Sequence, residues 1–222
     1  SYDFIKENRL YFLELKKSNL FILSITFLIF TVLWVFPFLG FGSPIALLGG
    51  FILGKWIGTI LVVFGLSLIL LYAASTLYHS TKEPVARNRY RILDMIAIYV
   101  LIAGSYTPYA LVMLKGVEGW KLFGIIWLIA LAGSIWKIFT TGKYNVISTI
   151  LYLCMGYICL FYINPLLSKL PYEGLVWLII GGATYTIGVF FYFMDKTIPY
   201  NHAIWHICVL IGSFSHFMSI FF

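Results

Sequence analysis

Five polar side chains stand out in a sequence that is otherwise strongly apolar. Ser75 and His79 lie four residues apart in Ala74-Ser75-Thr76-Leu77-Tyr78-His79, and His202 and His206 are again four apart in Asn201-His202-Ala203-Ile204-Trp205-His206. On a helix this spacing puts both members of a pair on one face, one turn apart. Asp94 sits near the start of a third apolar run. Ionisable groups in such places are costly in hydrocarbon, so each is a functional candidate. Two imidazoles one turn apart can chelate a single zinc ion. A third nitrogen from His79 would leave one position for water, the pattern of a catalytic zinc; a structural zinc is usually closed by four protein ligands. Asp94 would then hold that water and take its proton, and the Ser75 hydroxyl would donate to a substrate oxygen. A lone His-x-x-x-His is a weak signal, and a single membrane histidine is more often an interfacial or hydrogen-bonded residue than a ligand. Zinc is favoured because three helices bring polar ends to one level.

Those helices follow from composition. The chain has 222 residues, 62% hydrophobic and 10% charged, with a mean hydropathy of +0.97. Soluble domains carry roughly 25% charged residues. A bilayer core about 30 Å thick needs about 20 apolar residues per helix, and such runs follow one another here with short polar breaks. Backbone in lipid must be hydrogen-bonded within a helix or a closed barrel, and the runs lack the alternation of barrel strands. The expected fold is therefore all-α, a seven-transmembrane helical bundle over residues 19–222 preceded by an interfacial segment over residues 1–18. Spans are expected at about Leu20 to Phe36, Trp56 to His79, Ile92 to Leu114, Trp120 to Trp136, Val146 to Leu167, Leu175 to Met194 and Ala203 to Phe222. Ile45 to Gly54 is apolar but short and bracketed by Pro44 and Lys55, which suits a re-entrant or extra turn.

Basic residues orient the bundle. Lys6, Arg9, Lys16, Lys17, Lys82, Arg87, Arg89, Arg91, Lys137, Lys143 and Lys196 fall on one face, leaving Lys55, Lys115, Lys121 and Lys169 on the other, of fifteen Lys and Arg in all. By the positive-inside rule the first face is cytoplasmic, with the N-terminus inside and the C-terminus outside. The net charge of +7 is thus explained by topology, and a nucleic-acid partner is not expected. The opening Tyr2-Asp3-Phe4-Ile5-Lys6-Glu7 and the lack of a small-residue cleavage site argue against a cleavable signal. Cys154, Cys159 and Cys208 lie in apolar runs as small core residues. Asn201 is expected to cap the last span, and Pro108 to kink the third and widen a cavity there. Gly54/Gly58, Ala73/Ala74 and Gly181/Gly182 suit close helix packing. His216, about 15 Å beyond His206 along the helix, is expected to bond a neighbouring helix. Arg87, Arg89 and Arg91 with Lys82 read as an interface anchor, with the holding of an anionic lipid head group next to the site as the less favoured alternative.

The motifs Ala74-Ser75-Thr76-Leu77-Tyr78-His79-Ser80, Arg91-Ile92-Leu93-Asp94, Ala103-Gly104-Ser105-Tyr106-Thr107-Pro108 and Pro199-Tyr200-Asn201-His202-Ala203-Ile204-Trp205-His206 together resemble the bacterial hemolysin III family, which is related to the progestin and adipoQ receptors. The resemblance runs from about Leu71 to Phe217. It implies a multi-pass protein of a bacterial plasma membrane with seven spans and a cytoplasm-side zinc on His79, His202 and His206, Asp94 and Ser75 standing beside it. The chain departs from that family in lacking a Thr-His-Gly near the first span and in carrying Met95 where a histidine often follows the aspartate. The wider superfamily includes alkaline ceramidases, so the resemblance also implies lipid hydrolysis.

Two functions stay open at this point. One is a zinc-dependent hydrolase acting on a lipid amide or ester that reaches the metal from a transmembrane cavity. The other is a non-enzymatic protein with a structural zinc: a lipid-sensing factor of membrane homeostasis, or a cytolytic pore-former of the kind the family name implies. Membrane lipids are the expected partners in either case, and the oligomeric state is not legible.

Overall fold

The computed structural model describes residues 55–140, 143–193 and 200–222, with side chains from residue 63 onward. The expected interfacial segment, the span Leu20 to Phe36 and the short run Ile45 to Gly54 lie outside the described residues. Helix α1 covers Lys55–Ser80, and α2, Pro84–Pro108, continues as a π-helix over Tyr109–Leu114. Helix α3 covers Gly116–Thr140, and α4, Asn145–Gly156, passes through a 3-10 stretch, Tyr157–Tyr162, into α5, Ile163–Lys169. Helices α6, Tyr172–Phe193, and α7, Asn201–Phe221, complete the described elements, which include no strand. Six of the described stretches are long and apolar enough to cross a membrane: Val63–Ser80, Pro84–Leu114, Gly116–Thr140, Asn145–Lys169, Tyr172–Phe193 and Asn201–Phe221. These match the last six expected spans. The chain divides into two compact units, Ser1–Tyr72 and Ala73–Phe222, with the boundary inside α1.

Helix α2 starts eight residues before the expected Ile92. Glu83 has an extended backbone and turns its carboxylate back on the helix, accepting from Val85 N at 2.9 Å and Ala86 N at 2.5 Å. Pro84 supplies a first residue with φ already helical and no N–H to satisfy. The bonds from Ala86 and Val85 hold the Glu83 carboxyl below its usual range. Arg87, Arg89 and Arg91 consequently ride on the first two turns of α2. The Glu-Pro pair was the signal for this start.

At the other end of α2, where a kink was expected, regular α-helix gives way after Pro108 to the π stretch, because the proline lacks the amide that would bond the Gly104 carbonyl. The chain widens into the π turn beyond it. Thr107 donates to Ala103 O at 2.8 Å, next to that carbonyl, and receives the Trp127 indole N–H at 3.1 Å. Tyr106, Tyr109, Ala110 and Leu114 are all buried in one core cluster. Lys115 and Gly116, both with positive φ, reverse the chain into α3.

The fifth expected span, Val146 to Leu167, was read as one regular helix and changes helix type after Gly156. The Tyr106 hydroxyl donates to Gly156 O and accepts from Cys159 N at 2.9 Å, taking over backbone groups that the change of helix type releases. An unpaired backbone group in lipid is costly, and a phenol from a neighbouring helix removes that cost. Tyr106 is remote in sequence, which is why periodicity alone misses the break.

Lipid tails are as apolar as a leucine side chain, so close packing and hydrogen bonds hold helices together here. Tyr99 lies over Gly133 of α3, where a Cβ would meet its ring, and packs edge-on against Tyr152 at 4.5 Å. Tyr152 in turn donates to Met95 O at 3.0 Å, joining α4 to α2. Gly181 is a close approach, with a virtual Cβ 2.9 Å from the His216 ring, whereas its neighbour Gly182 faces nothing within 4 Å. Of the three cysteines only Cys208 is a buried residue; Cys154 is exposed and Cys159 intermediate, a correction to their expected core role.

Candidate functional site

All five singled-out residues belong to the unit Ala73–Phe222, at the end of the bundle where α1 finishes and α2 and α7 begin. Asn201 does not cap α7 as expected. Tyr200, in the left-handed region at φ 67°, precedes the helix without a side-chain cap, and Asn201 is its buried first residue. Entry by this tight left-handed step puts His202 in the first turn and His206 one turn deeper.

The three imidazoles meet edge to edge. His79 Nε2 is 3.0 Å from His202 Nε2, and His202 Nε2 is 3.2 Å from His206 Nε2. Ser75 Oγ lies 3.0 Å from His206 Nε2. Ser75 also lies near enough to the Asp94 carboxyl to act on it electrostatically. Asp94 is only 8% exposed, and its Oδ1 has no hydrogen-bond partner. Helices α1, α2 and α7 thus each supply polar groups to one place, as the spacing predicted.

Protons alone satisfy this arrangement poorly. A neutral imidazole nitrogen carries either one N–H or one lone pair, never both. His202 Nε2 nevertheless has two imidazole nitrogens at hydrogen-bond distance, and His206 Nε2 has one imidazole and one hydroxyl. Among the described residues no group of three or more His, Cys, Asp and Glu is placed so that it could hold a metal ion as the side chains stand. The donor set nevertheless fits zinc in kind and nearly in spacing. Ligands about 2.0–2.1 Å from a tetrahedral ion stand roughly 3.3 Å apart, a few tenths of an ångström beyond the observed separations. His79 is exposed and His202 and His206 are half-buried, so the imidazoles lie at the end of the bundle while Asp94 is enclosed.

Tyr152 and Tyr192 were not anticipated near this site, yet Tyr152 interacts electrostatically with Asp94 and with Tyr192. Tyr192 also packs on Trp205, whose ring lies 4.4 Å from that of His206. No spacing rule links them to the histidines, since they come from α4 and α6. His216 stands apart, as expected: Tyr109 Oη is 3.3 Å from its Nδ1, and the hydroxyl donates to its carbonyl at 3.2 Å.

The family model described as "Haemolysin-III related" matches residues 17–217. "Hemolysin-3" of Bacillus cereus is 44% identical over 160 residues, covering 72% of this chain and 73% of that protein. "Hemolysin-3 homolog" of Bacillus subtilis (strain 168) is 43% identical over 160 residues, 72% of this chain and 75% of the relative. The human "Monocyte to macrophage differentiation factor", 30% identical over 163 residues, covers 71% and 67% of the two chains and is kin to the progestin and adipoQ receptors. No solved structure matches. A match across most of the chain, joined to six membrane-length helices, makes this a multi-pass membrane protein of the hemolysin III family.

Proposed function

We propose that this chain is an intramembrane zinc-dependent hydrolase of a lipid amide or ester. The observation that carries the proposal is the string of three Nε2 atoms at 3.0 and 3.2 Å beside a buried carboxylate with an unpartnered oxygen. His79, His202 and His206 hold the metal. Zinc bound there supplies Lewis-acid polarisation of a carbonyl and lowers the pKa of a water to about 7. Asp94 accepts the proton of the attacking water and returns it to the leaving group. Ser75 stands near the Asp94 carboxyl and offers its hydroxyl to the substrate oxygen as charge develops there. Purified protein given a broad lipid extract should release an acyl product, and chelation should stop the release. Absence of any product from zinc-loaded protein would end this reading.

A second reading has its own support. The two Bacillus relatives are named hemolysins, and the imidazoles join the end of α1 to the start of α7. In that reading zinc is a tie between helices, and the activity is membrane lysis or lipid sensing. The basic face is proposed to be cytoplasmic in either case, with the N-terminus inside and the C-terminus outside the cell membrane. Terminal reporter fusions test that orientation: both termini on one side would mean an even number of spans, with Ile45 to Gly54 crossing.

A further inference from the structure

The loop between α1 and α2 and the first turns of α2 carry charge that the proposed chemistry does not use. Lys82, Arg87 and Arg89 are exposed and Arg91 half-buried, against a single acid, Glu83, within residues 82–91. Both Glu83 carboxylate oxygens are turned into the α2 amides, and Arg89 alone of these cations adds to holding that carboxylate charged. Arg87 is held differently. Its guanidinium lies 5.4 Å over the Tyr78 ring, and Tyr78 in turn packs against the His79 ring at 4.7 Å. An aromatic platform orients a guanidinium while leaving its N–H groups for a planar or tetrahedral oxyanion.

Position on α2 connects this cation to the site. Arg87, Arg91 and Asp94 fall at i, i+4 and i+7, on one face of the helix. Arg87 stands about 10 Å above Asp94 along the axis, with Arg91 between them. A phospholipid has the same order along its length: an anionic phosphate at the surface, a short linker, then an acyl carbonyl at the top of the hydrocarbon. A phosphate placed at Arg87 and Arg91 sets the carbonyl one to two turns deeper, at the level of Asp94 and the imidazoles.

We propose that Arg87 and Arg91, assisted by Lys82, form a seat for the phosphate of an anionic phospholipid, which makes a phosphate-bearing acyl lipid the ligand class of the site. The seat rests on charge and placement. Only the role of its occupant as substrate rests on the hydrolase reading.

The full chain is reconstituted in nanodiscs of phosphatidylcholine containing phosphatidylglycerol, and the lipids retained after extraction are counted by native mass spectrometry. Wild-type protein should retain phosphatidylglycerol in preference to phosphatidylcholine. Each of Arg87→Gln and Arg91→Gln should cut that preference about fivefold, the effect of one basic residue near an anionic surface. Tyr78→Leu should weaken it, and Arg87→Lys should restore part of the loss from Arg87→Gln. Lys121→Gln, an exposed cation at the other end of the bundle, should leave it unchanged. Arg87 is exposed, so its variants test the seat without disturbing the core. The seat is overturned if Arg87→Gln and Arg91→Gln retain phosphatidylglycerol like wild type, or if Lys121→Gln loses it equally. Displacement by inorganic phosphate at the lipid's own concentration would also overturn it, in favour of a free-anion site. Retention should survive chelation. Retained lipid without turnover would sink the hydrolase alone, and turnover without headgroup preference would sink the seat alone.

Discussion

Around Ser75 and the three imidazoles, polar atoms crowd one another beyond what single protons can link; around His216, the polar groups pair off. Tyr109 bonds both the ring and the carbonyl of His216, and Tyr185 Oη meets Ser213 Oγ at 2.8 Å. Ser105 and Ser215 each donate to the carbonyl four residues back, and Ser219 donates to Gly174 O at 2.7 Å across to α6. Both regions draw histidine from α7 and stand beside α2 or its π continuation. The difference is stoichiometric. A region whose donors and acceptors match is built for packing, whereas a surplus of lone pairs at one point invites a cation.

Breaking the crowded region should have the larger effects. His79→Ala removes the anchor on α1, and two imidazoles on α7 alone should not retain zinc; turnover should vanish and the melting temperature fall. Asp94→Asn should keep most of the zinc, since an amide still hydrogen-bonds, yet abolish hydrolysis because it cannot take a proton. Ser75→Ala should lower turnover by roughly 10² to 10³, the typical loss of one donor to a developing oxyanion. Should Asp94→Asn lose as much thermal stability as His79→Ala, with no turnover in wild type, the zinc is a tie between helices.

The paired region should respond differently. Tyr109→Phe leaves His216 without its hydroxyl partner and should cost roughly 1–3 kcal/mol of stability while leaving zinc content intact. Loss of zinc in that variant would mean that the two regions are coupled along α7 and are not independent.

How far the sequence disclosed these regions depends on the kind of interaction. Residues four apart on a helix are neighbours by geometry, so Ser75 with His79 and His202 with His206 were legible, and apolar length gave the last six spans. Contacts between distant segments carry no such rule. The break after Gly156 depends on Tyr106 reaching over from α2, and the left-handed Tyr200 took the capping place expected of Asn201. The early start of α2 was legible in Glu83-Pro84 but was obscured by the charge of the following turns.

The smallest effect is expected at that start. Glu83→Gln should lower thermal stability slightly near neutral pH. The folded-state pKa of Glu83 is depressed, so its contribution is present above the unfolded carboxylate value and is lost as pH falls through the folded one. Wild type and variant should therefore converge in acid; a constant difference across pH would show that charge is not the cause.

Zinc content per chain tests the central claim most directly. Elemental analysis of purified wild-type protein should give about one zinc, and a His202→Ala/His206→Ala double variant, folded by its helical circular dichroism, should give none. Equal metal in the two, or none in wild type purified with zinc present, would contradict the account.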